Sequence, residues 1–529
     1  MNRVSLWLAA ALLPACAPAS DAAEPPAAAT ALAARIDRAL ETAWAEKNLT
    51  PAAAADDAEF LRRVTLDLAG RIPTVAEART FLADRGADRR RRLVAGLLAR
   101  PVYARHAATV WRHLLLPEAE ANPRVQALVP GFEHWLRGQF DRNVPFDQLA
   151  RTVLTTPVDP ASAQLVYSAA AEPSPVAFYL AKEGKPENLA ATTARVFLGI
   201  RLECAQCHDH PFAAWTRDQF WGLAAFFAGI RAQDRGDEVV LDREVLDRRE
   251  LLIPGSDRVV QGTFPDGTEP RWRFKVGPRQ TLADWVTAKN NPYFARAAVN
   301  RVWAQLFGIG LVEPVDEMTG GQDTVSHHPA LLAELAEAFA AGGYDQKVLV
   351  EAITATRAYQ LTSRGRSPDA PLFTRHSLRG LTGEQLYDSL ATATGQPDHF
   401  TDDDRRGSSA RADFLARFGP QTGRPVDHET SIVQALTLMN GSLVAGATTP
   451  GRGDLLAAVL DAPFLTERER VETVYLAALA RRPTRQEAGR AHEFIEAAAT
   501  GRDPAARRNE AVADIFWALL NSAEFVFNH

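Results

Sequence analysis

Apolar residues recur three and four places apart along most of the chain from Leu32 onward, a period that predicts helices rather than strands. "LAARIDRALETAW" carries it first, and "FLRRVTLDLAG" continues it until Gly70 stops the run. Helix starts are also marked by capping boxes, in which a threonine hydroxyl and a Glu or Gln side chain each take an orphan amide. These boxes stand at Thr74 to Glu77, Thr216 to Gln219, Thr382 to Gln385, Thr466 to Glu469 and Thr484 to Glu487. Between Asp141 and Tyr167 one helix gives way to a proline-bearing connector, read as a loop from about Pro157 to Ser174. Helix resumes with "ENLAATTARVFLGI".

Residues 231–276 break the pattern. "EVVLDREVLD" and "RVVQGTFPDGTEPRWRFKV" hold β-branched and aromatic residues punctuated by Pro-Asp-Gly and Gly-Thr turns, which predicts a small strand-bearing module. After Thr281 the helical period returns and runs to the end, with no repeat of 20 to 50 residues. The expected fold class is mainly α: two helical domains, 32–230 and 277–529, with a short β-rich insert, 231–276, between them.

The first residues follow a different logic. Arg3, the apolar run Val4 to Leu13 and the small residues after it read as an export signal over 1–19, which places the mature protein in the periplasm or cell envelope. Leu13-Pro14-Ala15-Cys16 is similar to a lipobox, so Cys16 is a candidate for a lipid anchor, with plain cleavage near Ala17 or Ala19 as the rival. The polar, proline-bearing stretch 20–31 has little to bury and reads as a disordered tether.

At 529 residues, 46% hydrophobic and 23% charged, the chain has the composition of a packed globular protein with more than one core. A net charge of −6 gives no electrostatic footprint for nucleic acid. The basic run Arg89 to Arg92 opens an apolar helical pattern and reads as a solvated helix face.

Cysteine carries the chemistry. Of three cysteines, two stand in Cys204-Ala205-Gln206-Cys207-His208, with His210 just beyond. C-x-x-C-H is a haem c attachment signature: two thiols at this spacing add to the haem vinyl groups, and the adjacent imidazole reaches the iron. Haem c on Cys204 and Cys207, with His208 on the iron, is the leading reading. Three others stay open: a zinc or other transition-metal site, for which Cys204, Cys207, His208 and His210 are too cramped alone and remote partners complete the set, a disulfide, and a buried thiol pair. A sixth ligand for haem is not evident. His210 is too close to His208, and Met318 and Met439 are more than a hundred residues downstream, so a haem here is either five-coordinate or closed by a distant histidine such as His106, His113 or His134. Trp215, Phe220, Trp221, Phe226 and Phe227 form an aromatic face that reads first as core and second as a porphyrin wall.

A second constellation gathers Glu313, Asp316, Glu317, Asp323, His327 and His328 before a helix that Ser326 would cap, with Pro329 in its first turn. As chemistry it would be an acid/base or metal loop centred on Asp316 and His328, which "DHETSI", Asp427 to Ile432, could join across space. G-x-S-x-G, H-E-x-x-H and P-loop signatures are absent from the sequence.

Several long stretches carry a family resemblance. "FLRRVTLDLAGRIPTVAEARTFLAD", "RVFLGIRLECAQCHDHPFAAWTRDQFWGLAAFFAG", "NPYFARAAVNRVWAQLFGIGLVEPVDEM", "TRAYQLTS" and "DIFWALLNSAEFVFNH" together resemble a large bacterial family that pairs two domains of unknown function. The first is labelled a planctomycete cytochrome C type domain and the second a planctomycete-specific domain. The resemblance runs from about Arg35 to the last residue and keeps "CAQCHDHPF" intact; it implies the cytochrome label through Cys204, Cys207 and His208 and confers no activity. The expectation is an exported c-type cytochrome-like protein with an unidentified redox or envelope partner. The alternatives are an exported binding or assembly module whose C-x-x-C-H is a metal or disulfide clasp, and a hydrolase using the Asp316/His328 loop.

Overall fold

The computed structural model describes residues 27–167, 173–211, 213–234, 236, 239–318, 324–365, 370–396, 409–418, 439, 441–500 and 502–529. Residues 1–19, read above as an export signal, together with Cys16, Asp323 and the 427–432 stretch, lie outside them. The architecture is mainly α. All five capping boxes form as the local sequence dictates, with both reciprocal hydrogen bonds in each. The insert folds as two antiparallel hairpins, Ala232–Asp234 with Val239–Leu241 and Glu250–Leu252 with Val259–Gln261. Two further two-stranded pairs close longer connections: Val312–Glu313 with Val325–Ser326, and Arg379–Gly380 with Phe527–Asn528. Among the described residues no helix is long and apolar enough to cross a membrane.

Three local expectations are revised. The first helix, Ala27–Glu46, takes in the last residues of the stretch read as a tether, because Ala29, Leu32 and Ile36 find a core to enter. The Pro157 to Ser174 connector holds a helix, Pro160–Tyr167. Its signal is Asp159, whose carboxylate accepts from the Ala161 and Ser162 amides at 2.9 Å, followed by proline in the first turn. The Arg89 to Arg92 face is not simply solvated: Arg89 and Arg90 converge on Asp57, Arg90 also lies over the Phe60 ring, and Arg91 and Arg92 pair with Asp84 and Asp88.

The packing does not part at the insert. One apolar cluster runs from Ala29 through Leu241, Leu251 and Phe264 of the insert to Phe373 and takes in Leu476, and a smaller one joins Leu66 and Ile72 to residues from Leu381 to Phe525. The helix Asp57–Ala69 belongs to both, giving Leu61, Val64 and Leu68 to the first and Leu66 to the second. From Glu59 onward the helix is wrapped on every side, so the charged residues there are buried with it: Arg62 and Arg63 are 0% exposed and Glu59 and Asp67 3%.

Buried charge is tolerated only when paired and hydrogen-bonded. Arg62 donates to the carbonyls of Ala478, Glu524 and Phe525 at 3.2, 3.1 and 2.6 Å. Arg63 donates to Glu59 at 2.7 Å and to the carbonyls of Tyr359 and Leu361 at 2.6 and 2.9 Å. Asp67 accepts from the Tyr359 hydroxyl at 2.6 Å, and from Arg379 and Asn528 at 2.7 Å. Gly70 ends the helix at φ +69, and a side chain there would also strike His106, whose Nδ1 lies 2.5 Å from the Cβ position.

Replacing Arg63 by Met strands Glu59 without its cation, so urea denaturation of Arg63→Met should show a loss of about 3–5 kcal/mol; a loss under about 1 kcal/mol contradicts the pairing described. Burial also holds His106 neutral, with its pKa pushed down to about 4 from an ordinary 6.5. The unfolded chain takes up that proton first, so stability contributed by neutral His106 is full above about pH 6.5 and falls as pH drops towards 4. Denaturant melts across that window should show a shallower decline in His106→Gln than in the parent.

Candidate functional site

The C-x-x-C-H segment sits on a short 3-10 helix, Glu203–Gln206. In such a turn side chains three apart eclipse, so Cys204 and Cys207 share one side. Ala205 turns inward and is 0% exposed, as is Leu202, while Cys204, Cys207 and His208 are all exposed. Both cysteines are free thiols, not a disulfide.

The segment is fastened from below. The Trp221 indole donates to the Gln206 carbonyl at 3.0 Å, and the His210 amide donates to the Trp215 carbonyl at 2.7 Å. Asp209 accepts from the Arg217 amide at 2.8 Å at the start of the helix Arg217–Ala225, beside the Thr216 capping box. Phe220, Trp221, Phe226 and Phe227 are buried in the apolar cluster, so the aromatic face is core, not a wall turned toward the thiols.

His208 and His210, two residues apart, take opposite tautomers. His208 Nδ1 lies 2.7 Å from the Asp209 carbonyl, which only accepts, so Nδ1 carries the hydrogen and Nε2 keeps its lone pair. At His210 the Ala213 amide donates to Nδ1 at 3.0 Å, so that lone pair is taken and the neutral ring carries its hydrogen on Nε2. The Nε2 lone pair of His208 is therefore available to an acceptor of electrons, whereas the Nδ1 lone pair of His210 is taken.

A metal clasp needs its ligand atoms to converge on one point. Among the described residues the one grouping of three such side chains with ligand atoms within 4.8 Å of one another is Glu467, His492 and Glu496, and Cys204, Cys207, His208 and His210 form none. Haem c attachment makes a different demand, since the two sulfurs bond to separate vinyl carbons and only the imidazole goes to iron. Two unpaired thiols on one side and an imidazole with a bare Nε2 fit that donor set.

The distant histidines are engaged elsewhere. His113 bridges Glu120 and Glu384, at 2.7 Å through each ring nitrogen, and the two carboxylates push its pKa up to about 9 against the opposing effect of burial. His106 is wedged against Gly70, and His134 accepts from Arg137 at 3.3 Å. Met439 is 42% exposed, with its carbonyl taken by the Trp517 indole.

The second constellation comes apart. Asp316 accepts from Arg201 at 2.8 Å, beside the cysteine segment, whereas His328 is 9% exposed, packs near the Phe373 ring, and is pushed down to about 4 chiefly by burial. Glu313 takes the Gly310 amide, Glu317 faces Arg201 at 3.9 Å, and the His327 amide donates to Leu311. Among the described residues Asp316 and His328 share no partner and assemble no acid/base pair. What sequence reasoning missed is that residues 316–318 lie against 199–203: the Met318 amide donates to the Gly199 carbonyl at 2.9 Å.

Comparison with known proteins gives two matches of description. Residues 35–232 match the family model PSCyt2, a protein of unknown function (DUF1549), and residues 278–412 match PSD1, a protein of unknown function (DUF1553). No curated protein and no solved structure matches the chain.

If both thiols stand free and exposed, iodoacetamide should alkylate Cys204 and Cys207 in folded, haem-free, reduced protein without denaturant. Peptide mass mapping that finds either residue protected until the protein is unfolded contradicts the geometry.

Proposed function

The chain belongs to the family that pairs a PSCyt2 domain with a PSD1 domain, and from that premise we propose that it is an exported, cell-envelope c-type cytochrome-like protein that exchanges electrons with a redox partner. The observation that carries the reading is the donor set: free, exposed Cys204 and Cys207 on one side of a 3-10 turn, followed by His208 with its Nε2 lone pair unspent.

In this reading Cys204 and Cys207 would hold the haem through two thioethers and the His208 imidazole would bind its iron. The Asp209 carbonyl holds the His208 ring by its Nδ1 hydrogen, which fixes its tautomer and orientation. Leu202, Ala205 and the Trp221 indole hold the turn to the core, so the tethers start from a fixed base. The haem, when bound, supplies one-electron chemistry. An attachment segment on the surface rather than in a closed core suits transfer to a protein partner that docks beside it. The export signal over 1–19 supports this reading, because it leads to the compartment where haem is attached covalently.

The test is a pyridine haemochrome spectrum on the full chain, exported from a host with haem c maturation machinery, beside Cys204→Ala/Cys207→Ala. A thioether-linked haem spectrum, abolished in the double variant, is the expected outcome; a colourless parent protein overturns the proposal.

A further inference from the structure

We infer that the thioether of Met318 is the second axial ligand of the haem proposed at Cys204, Cys207 and His208, an inference that rests on that reading. In sequence the methionine is remote, but the fold lays its segment along the approach to the cysteines. The Met318 amide donates to the Gly199 carbonyl at 2.9 Å, and Arg201 holds Asp316 at 2.8 Å. These two ties fix Met318 beside the strand of chain that enters the Glu203–Gln206 turn.

Gly199 is fitted to this neighbour twice over. Its φ of +65 favours glycine, and an added Cβ would come within 3.0 Å of the Met318 methyl carbon and 3.3 Å of the Ala297 Cβ. Met318 is half-buried at the rim of the large apolar cluster, not sealed inside it. Its unbranched side chain can turn about three bonds without moving the backbone that Gly199 anchors.

The rival ligands are held elsewhere. His113 has both ring nitrogens on carboxylates, His106 is wedged against Gly70, His134 pairs with Arg137, and His210 has its Nδ1 lone pair on the Ala213 amide. Met439 is tied through its carbonyl to Trp517 in the C-terminal helix Pro504–Leu520. Among the described candidates, Met318 is the soft, neutral donor that the backbone ties hold beside the motif. A methionine in this position raises the reduction potential of the haem relative to ligation by a second imidazole.

The experiment compares the haem-loaded full chain with Met318→Leu, which keeps the apolar volume, and Met318→His, which offers a nitrogen donor from the same place. Pyridine haemochrome first confirms covalent haem in all three, and thermal melts confirm folding. The parent ferric protein should show the sulfur-to-iron charge-transfer band in the far red. Met318→Leu should lose the band, bind carbon monoxide faster in the ferrous state and shift to a lower reduction potential, while Met318→His should give a bis-imidazole spectrum. Covalent haem with axial spectra identical in the parent and Met318→His overturns the assignment of Met318 and leaves the haem reading standing. A parent protein with no haem overturns both. Should Met318→Leu fail to fold, the Met318→His spectrum decides alone.

Discussion

The structure depends on burying two arginines and two carboxylates in one helix. Arg62, Arg63, Glu59 and Asp67 lie where the Asp57–Ala69 helix passes between two apolar clusters, and no solvent face is left for them. Each guanidinium offers five donors in a rigid fork, and a packed interior must answer them with acceptors. The acceptors come from distant parts of the chain: the carbonyls of Tyr359 and Leu361, of Ala478, and of Glu524 and Phe525. Asp67 then draws in Tyr359, Arg379 and Asn528, and the short strand pair Arg379–Gly380 with Phe527–Asn528 forms beside it. The charges make both ends of the chain converge on one helix, and apolar burial on either side holds them there.

From that junction a continuous line of contacts reaches the cysteine motif. Arg379, paired with Asp67, also donates to the Gln305 carbonyl at 2.6 Å, in the helix Phe294–Phe307. Arg301 of the same helix donates to the Val196 carbonyl at 3.2 Å, and Ala297 backs the Gly199 position. The Glu203–Gln206 turn follows at once, with Cys204, Cys207 and His208 facing out. The motif is thus exposed but not loose: a rigid floor beneath it leaves its reactive atoms in solvent. On the proposed haem reading, a segment exposed in this way can be reached by a maturation enzyme and by a redox partner from the same side.

What could be read in the sequence was what local chemistry decides. The five capping boxes each depend on residues three places apart, and each formed. The helical period gave the fold class, and Pro-Asp-Gly and its neighbours gave the hairpins of the insert. The helix Asp57–Ala69 was legible as a helix, but the burial of its arginines was not, because the carbonyls that receive Arg63 lie 296, 298 and 466 positions along the chain. The same limit hid Met318, which meets Gly199 only through tertiary packing. C-x-x-C-H named the candidate site, yet the choice between His208 and His210 turned on which ring nitrogen meets a carbonyl and which meets an amide. Asp316 and His328 failed as a pair for the converse reason: adjacency in one loop sent them to different neighbours, Arg201 and Phe373.

Mass mapping of the proteolytic peptide that spans Cys204 to His208, taken from protein exported by a host able to attach haem, tests the central claim most directly. The account predicts that this peptide carries the mass of one haem, bonded through both sulfurs. The unmodified mass, whether as two free thiols or as a disulfide lighter by two hydrogens, contradicts it.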